Sequence, residues 1–185
     1  MLRYVAFLRA INVGGHTVKM DALRQHFAAL GFANVETFIA SGNVVFETTA
    51  KNTHALEKKI EQHLFAVLGY EVATFIRTDA ELAAMAQYQP FSSAALKKAQ
   101  ALNVAFLTDP LNAASQKKLL ALKTDIDDFH VNGREVYWLC KRKQSESTFS
   151  NAVLEKTLGR SATIRGFSTI QKLAAKYGII PPAAS

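Results

Sequence analysis

An α+β protein made of two tandem β-α-β-β-α-β units is the fold this sequence predicts. Three observations carry that expectation. Short apolar, β-rich runs alternate with stretches whose apolar residues recur at helical spacing. Glycines, prolines and capping residues stand where those stretches should start and stop. The same element order runs twice along 185 residues, a length that suits one large domain or two small ones. The β-α-β-β-α-β order is the ferredoxin-like pattern, with an antiparallel sheet and helices on one face. The repeat reads as one of element order, with no residue-level identity linking the halves.

The first unit spans residues 1–78. Leu2 to Leu8 is apolar and β-rich, a buried strand. A glycine-containing loop follows, and then Met20, Leu23, Phe27 and Leu30 mark a helix closed by Gly31. Val35 to Ile39 and Val44 to Glu47 are strands joined by a turn at Ser41-Gly42-Asn43. Leu56, Ile60, Leu64, Val67 and Leu68 mark a second helix closed by Gly69, and Val72 to Arg77 completes the unit as a strand.

The second unit spans residues 79–185. Thr78-Asp79-Ala80-Glu81 is a capping box opening a linker helix that Pro90 ends. Leu102 to Thr108 is a strand. Asp109-Pro110 supplies an N-cap and an N1 proline for a helix with Leu111, Leu119 and Leu122. Phe129 to Val131 and Glu135 to Cys140 form a hairpin, for which Asn132-Gly133 is a type I′ pair. A helix carries Phe149, Val153, Thr157 and Leu158 and stops at Gly159. Ala162 to Arg165 is the last strand. Ser168 to Gln171 is a second capping box, opening a terminal helix with Leu173, Ala174 and Tyr177, which Gly178 and Pro181-Pro182 close.

Composition excludes several classes of protein. Hydrophobic residues make up 49% of the chain, too many for a disordered basic tail. A single cysteine excludes an intramolecular disulfide framework and cysteine-based zinc sites. The five histidines lack H-x-x-x-H or H-E-x-x-H spacing, so no metal site is expected. No apolar run is long enough to span a bilayer, and the N-terminus does not read as a signal peptide. A reducing cytoplasm is the expected home. The net charge is +7, and residues 134–176 hold nine basic and three acidic residues, a local footprint for phosphate-bearing partners or else a solvated surface.

Three segments are candidate sites. The loop from Arg9 to Lys19 leaves a strand and enters a helix. Gly14 and Gly15 permit close backbone approach, Arg9 and Lys19 add charge, and Asn12 offers a polar group, although a tight turn explains the glycines equally well. Ser41-Gly42-Asn43 reads as a turn. The third segment, residues 141–151, opens with Lys141, Arg142 and Lys143 and ends on hydroxyls and Asn151 before a helix, with Ser147 or Ser150 as N-cap. Arg160 and Arg165 lie further on and extend this basic patch. Cys140 reads as a small buried hydrophobe, and Asp125, Asp127 and Asp128 as a solvated strand edge. Standard RNA recognition by sheet aromatics is disfavoured, because Tyr4 and Phe7, like Tyr137 and Trp138, point to opposite faces of their strands.

Leu8-Arg9-Ala10-Ile11-Asn12-Val13-Gly14-Gly15, followed by Ser41-Gly42-Asn43-Val44-Val45-Phe46, resembles the bacterial family called domain of unknown function 1697. Phe149-Ser150-Asn151, Leu154-Glu155-Lys156, Leu158-Gly159 and Ala162-Thr163 are similar to that family too. The chain departs from its pattern at Ala10, where the family usually has glycine, and at Arg165 to Thr169, where it usually reads R-N-W-N-T. The resemblance implies a pair of ferredoxin-like units. It supplies no established activity, cofactor or catalytic residue.

The expected function is binding of a phosphate-bearing or other anionic partner, nucleic acid included. The contacts would be Arg9, Asn12, Gly14, Gly15 and Lys19, with Lys141, Arg142, Asn151 and Arg165 as a second patch. No cofactor or metal is expected. Two alternatives stay open. One is an enzyme acting on a small phosphorylated metabolite, with His16 as acid or base. The other is a non-catalytic interaction module.

Overall fold

The computed structural model describes residues 1–12, 14–39 and 42–179. Their elements run β1 (Leu2–Leu8), α1 (Met20–Ala29), β2 (Ala33–Thr37), β3 (Asn43–Thr48), α2 (Thr53–Leu68) and β4 (Thr74–Thr78), followed by α3 (Asp79–Gln87) and α4 (Ser93–Lys98). The same order then recurs as β5 (Ala101–Phe106), α5 (Ala113–Leu120), β6 (Asp127–Asn132), β7 (Glu135–Cys140), α6 (Asn151–Leu158) and β8 (Thr163–Gly166), ahead of α7 (Phe167–Lys176). The result is mixed α+β, with two four-stranded antiparallel sheets ordered β2-β3-β1-β4 and β6-β7-β5-β8. The chain divides into two compact units: Met1–Ala83 with Lys176–Ser185, and Ala84–Ala175.

In unit 1 the core lies between one sheet face and two helices. Tyr4, Ala6 and Leu8 of β1 and Val44 and Phe46 of β3 pack with Leu23 and Phe27 of α1 and Leu56, Ile60 and Leu64 of α2. Alternation along β1 sends Val5 and Phe7 to the other face, where they are also buried. In unit 2, Ala105 and Leu107 lie in the core with Val136, Trp138 and Cys140 of β7, Phe129, Leu119 of α5 and Leu154 of α6.

Residue-level identity does link the units, contrary to expectation. Val5-Ala6-Phe7-Leu8 of β1 recurs as Val104-Ala105-Phe106-Leu107 on β5, and Ile76-Arg77 of β4 as Ile164-Arg165 of β8. The registers agree as well: Val5 stands opposite Arg77, and Val104 opposite Arg165. The repeats are too short to notice before the registers align them.

Several local expectations hold. The capping box at α3 is complete, with Thr78 N donating to Glu81 Oε2 at 2.9 Å and Glu81 N to Thr78 Oγ1 at 3.2 Å. Gly69 and Gly159 close α2 and α6 in the left-handed conformation.

Others need correction. The β2 strand begins and ends two residues earlier than expected, at Ala33–Thr37. The α4 helix was not anticipated, and Ser92 caps it by accepting from Ala95 N. Asn112, not Asp109, caps α5, so the Asp109-Pro110 pair precedes that helix by a short connection. The β6–β7 register pairs Asn132 with Glu135, which leaves Gly133-Arg134 as the turn. Only Gly133 of these two has positive φ, the pattern of a II′ turn instead of the I′ turn expected for Asn-Gly. The α7 helix starts at Phe167, so Ser168 lies within its first turn and is not its N-cap. Pro181 and Pro182 fall outside the described residues.

A candidate ligand pocket in unit 2

The two N-terminal motifs form one piece of structure. Asn12 turns back into its own loop, its Oδ1 accepting from Val18 N at 2.7 Å. Tyr70 donates its hydroxyl to Ile11 O at 2.9 Å, and its ring stacks on His16 at 3.9 Å between centroids. Gly42 braces the loop, and Ser41 lies outside the described residues. Leu8 N donates to Gly42 O, and a Cβ on Gly42 would stand 2.8 Å from Ile11 Cγ2 and 3.2 Å from Leu8 Cβ. Asn43 is fully buried and donates to Phe38 O at 2.9 Å. Asn12, Gly42 and Asn43 are therefore specified by folding needs, whether or not a ligand is present.

The rest of the loop is more open. Gly14 and Gly15 have positive φ, and both are exposed, as are His16 and Lys19. Lys19 stands at the N-cap of α1 without a side-chain cap. Arg9 is half-buried, and its N–H donates to Ala73 O.

Unit 2 carries a concave site. A pocket of about 510 Å³ is lined by Asn103, Trp138, Gln144, Ser145, Phe149, Ser150, Asn151, Ile164 and Gly166. That volume lies in the range of small-molecule sites. Its floor is the sheet: Asn103 of β5 lies between its cross-strand partners Trp138 and Gly166. One wall is the segment that follows β7, the third sequence candidate. A single 3₁₀ turn, Gln144–Glu146, places Gln144 and Ser145 at the pocket. Ser150 caps α6 by accepting from Val153 N, which puts Asn151 in the helix's first turn. Of the predicted residues, Asn151 lines the pocket; Lys141 and Arg142 are exposed just ahead of the 3₁₀ turn.

Arg165 faces the other way. Ile164 and Gly166 line the pocket, so alternation along β8 turns Arg165 to the opposite sheet face. There its guanidinium donates to Thr163 Oγ1 and Ile164 O, and burial pulls its pKa down to about 10. Arg165 is part of the sheet's packing and does not extend the basic patch. Arg160 donates to Asp109 O at 3.4 Å.

Asp127 organises the wall, and the sequence reading missed it. Its carboxylate is 1% exposed and accepts from Trp138 Nε1 at 2.8 Å, Ser147 Oγ at 2.8 Å and Thr124 Oγ1 at 3.0 Å. The expected solvated strand edge is thus a buried polar hub. Ser147 serves Asp127, which leaves the α6 cap to Ser150. No local spacing signals a bond between residues twenty positions apart. Cys140 is buried as expected, and burial raises its thiol pKa.

Two of the lining residues each bury one polar atom that has no partner. Asn103 is 4% exposed, and its Oδ1 accepts from Gln144 Nε2 at 2.8 Å while its Nδ2 is unbonded. Asn151 donates Nδ2 to Ala162 O at 2.9 Å, and its Oδ1 is unbonded. Leaving a buried donor or acceptor unsatisfied costs about 1–3 kcal/mol. The aromatic lining, Trp138 and Phe149, packs edge to face at 4.8 Å. Tyr4, Phe7, Phe46 and Tyr137 are all buried, so neither sheet presents them for base stacking. Among the described residues no cluster of His, Cys, Asp and Glu could hold a metal ion, and no helix is long and apolar enough to cross a membrane.

Fold and site define a class: an α+β protein of two related units, one of which carries a pocket of ligand size. The chain belongs to the protein family of unknown function DUF1697, whose model matches residues 1–137. The C-terminal segments that also resembled the family all lie beyond that match. The fold is shared with the conserved bacterial protein SP0830 from Streptococcus pneumoniae, at a TM-score of 0.78 and 21% identity, over 96% of this chain and 99% of that one. No curated protein matches.

Proposed function

We propose that this protein binds a phosphate-bearing or otherwise anionic partner, with the unit 2 pocket as its main site, and that it works in the cytoplasm. The carrying observation is that a pocket of about 510 Å³ opens at the first turn of α6, on the segment headed by Lys141 and Arg142. Helix N-termini and flanking cations both favour anions. The exposed Gly14, Gly15 and Lys19 at the start of α1 make a second point of contact in unit 1. A lone, buried cysteine suits a reducing compartment. The strand orders and antiparallel pairings support reading each unit as a ferredoxin-like sandwich.

The test is a melting-temperature and Trp138 fluorescence titration with inorganic phosphate, ribose 5-phosphate, adenosine monophosphate and a short single-stranded oligonucleotide. At least one should bind at low salt, weaken as salt rises, and weaken further in the Lys141→Ala/Arg142→Ala double variant. A flat response to all four at low salt overturns the reading. Tight binding by the oligonucleotide alone would identify the partner as nucleic acid.

A further inference from the structure

We propose that the contact between α1 and α2 is an acid-sensitive switch: when His26 and His63 are both protonated, the two helices part. The switch lies wholly within unit 1 and does not depend on the anion reading.

The geometry comes first. His26 stands in the last turn of α1 and His63 in the C-terminal half of α2. Their rings meet edge to face, with 5.6 Å between centroids. Both residues are half-buried, and each precedes a fully buried core residue, Phe27 or Leu64. His63 Nε2 is buried and has no hydrogen-bond partner. An imidazolium carries a proton on both ring nitrogens. A charged His63 would therefore hold a charged donor where no acceptor waits, beside a second positive ring. Like charges at this spacing repel strongly where water is partly excluded.

The charged groups on the surrounding elements are engaged elsewhere. On α1, Asp21 pairs with Arg24. On α2, Lys59 donates to Leu30 O, and Glu61 accepts from Thr74 N. Glu57 accepts from Ile76 N and pairs with His54. On β2, Glu36 pairs with Lys176. Alternation along β4 puts Ile76 in the core and turns Arg77 to the opposite sheet face. Among the described residues, the charge acting on His26 is that of His63, with no carboxylate to offset it.

Burial pulls the His26 pKa down, and the charge of His63 pulls it further. A histidine whose pKa is lower folded than unfolded stabilises the fold above the ordinary imidazole range. That contribution is lost as pH falls through the lowered value. Two neighbouring groups act in the opposite sense. Glu61 has its pKa raised by burial, which favours the fold in acid, and protonating His54 strengthens its pair with Glu57. A loss of stability at the seam on acidification therefore points to the histidine pair.

The test is hydrogen exchange on the full-length protein, read as protection factors at pH 7.5 and at pH 5. The matching helices of unit 2, α5 and α6, contain no histidine and serve as the internal control. Protection of α1 and α2 should fall about tenfold more than that of α5 and α6 on acidification. His26→Phe and His63→Phe each keep a ring and remove one charge, and each should abolish most of that extra fall. A cooperative melt at pH 7.5 checks that the variants fold, and His63→Gln replaces either one that does not. An equal change in the two pairs of helices of the unaltered protein overturns the proposal, whatever the variants do. So does an extra fall in α1 and α2 that persists in the folded variants.

Discussion

The two units are built by one set of rules and differ in what they leave open. Each carries Val-Ala-Phe-Leu on a central strand and Ile-Arg on the edge strand paired with it. Each also shields that edge with carboxylates from a helix. Glu61 accepts from Thr74 N and Glu57 from Ile76 N beside β4, each at 2.9 Å; Glu155 accepts from Ala162 N beside β8 at 2.9 Å. Outward N–H groups on a strand edge are an invitation to pair with another chain, and a glutamate acceptor removes it. Where the units part is the middle of the core-facing sheet. Unit 1 spends Tyr4 on filling it, and unit 2 spends Asn103 on not filling it. The unit 2 pocket therefore lies on the sheet face that Tyr4 occupies in unit 1.

Carrying the unit 2 choice into unit 1 should have the largest effect. Tyr4→Asn removes a fully buried ring and its bond to Ala50, and should cost about 3–5 kcal/mol, read as a lower denaturant midpoint. A loss below about 1 kcal/mol would mean that the surroundings collapse into the space, and that packing alone does not explain why unit 2 stays open.

The β–β turns give a smaller contrast. Gly42 has φ of +79° with Ile11 and Leu8 against the place of its missing Cβ, whereas Gly133 has φ of +58° and meets only Glu135 Oε2 at 3.7 Å. Gly42→Ala should cost about 3 kcal/mol, the sum of backbone strain and overpacking, and Gly133→Ala about 1 kcal/mol from backbone strain alone. Equal melting temperatures for the two variants would show that the contact with Ile11 relaxes freely. Such a result would also weaken the case that Gly42 braces the glycine loop.

Legibility in the sequence followed the range of the interaction. Period and caps act over a few residues, so β1, α2, the α3 capping box and the glycine stops at Gly69 and Gly159 could all be read. The α5 start was misplaced because Asp109-Pro110 is a valid cap signal, and Asn112, three residues on, supplies the side-chain acceptor actually used. The hairpin turn slipped by one because Gly133 serves a I′ or a II′ turn equally, and only cross-strand register decides. At the pocket, the 141–151 segment was visible as a polar run entering a helix. Asn103 and Asp127 were not, because their significance depends on Trp138, Gln144 and Ser147 reached through the sheet. The buried side of β8, which takes Arg165 out of the basic patch, needed the strand's phase, and a four-residue strand gives too little sequence to fix it.

The smallest expected difference concerns one position on the outer strands, where register matches Glu36 of β2 with His130 of β6. Both bond to a tyrosine hydroxyl: Glu36 accepts from Tyr177 at 2.7 Å, and His130 Nε2 lies 2.6 Å from the Tyr88 hydroxyl. Glu36 also pairs with Lys176 Nζ at 3.0 Å. The bonds from Tyr177 and Lys176 hold the Glu36 carboxyl below its ordinary range. A carboxylate whose pKa is lower folded than unfolded stabilises the fold above the unfolded value. That contribution fades as pH falls through the folded one. Glu36 and Lys176 are both about half exposed, so the contribution should stay below about 1 kcal/mol and shrink with salt. Glu36→Gln should therefore lower the denaturant midpoint slightly at neutral pH, and the gap to the unaltered protein should close under acid conditions. A gap that persists unchanged below the carboxylate range would assign the Glu36 contribution to its neutral hydrogen bond with Tyr177, not to its charge. On that outcome each outer strand would be tied down by a contact to a tyrosine hydroxyl, and in β2 that contact would not depend on the carboxylate charge.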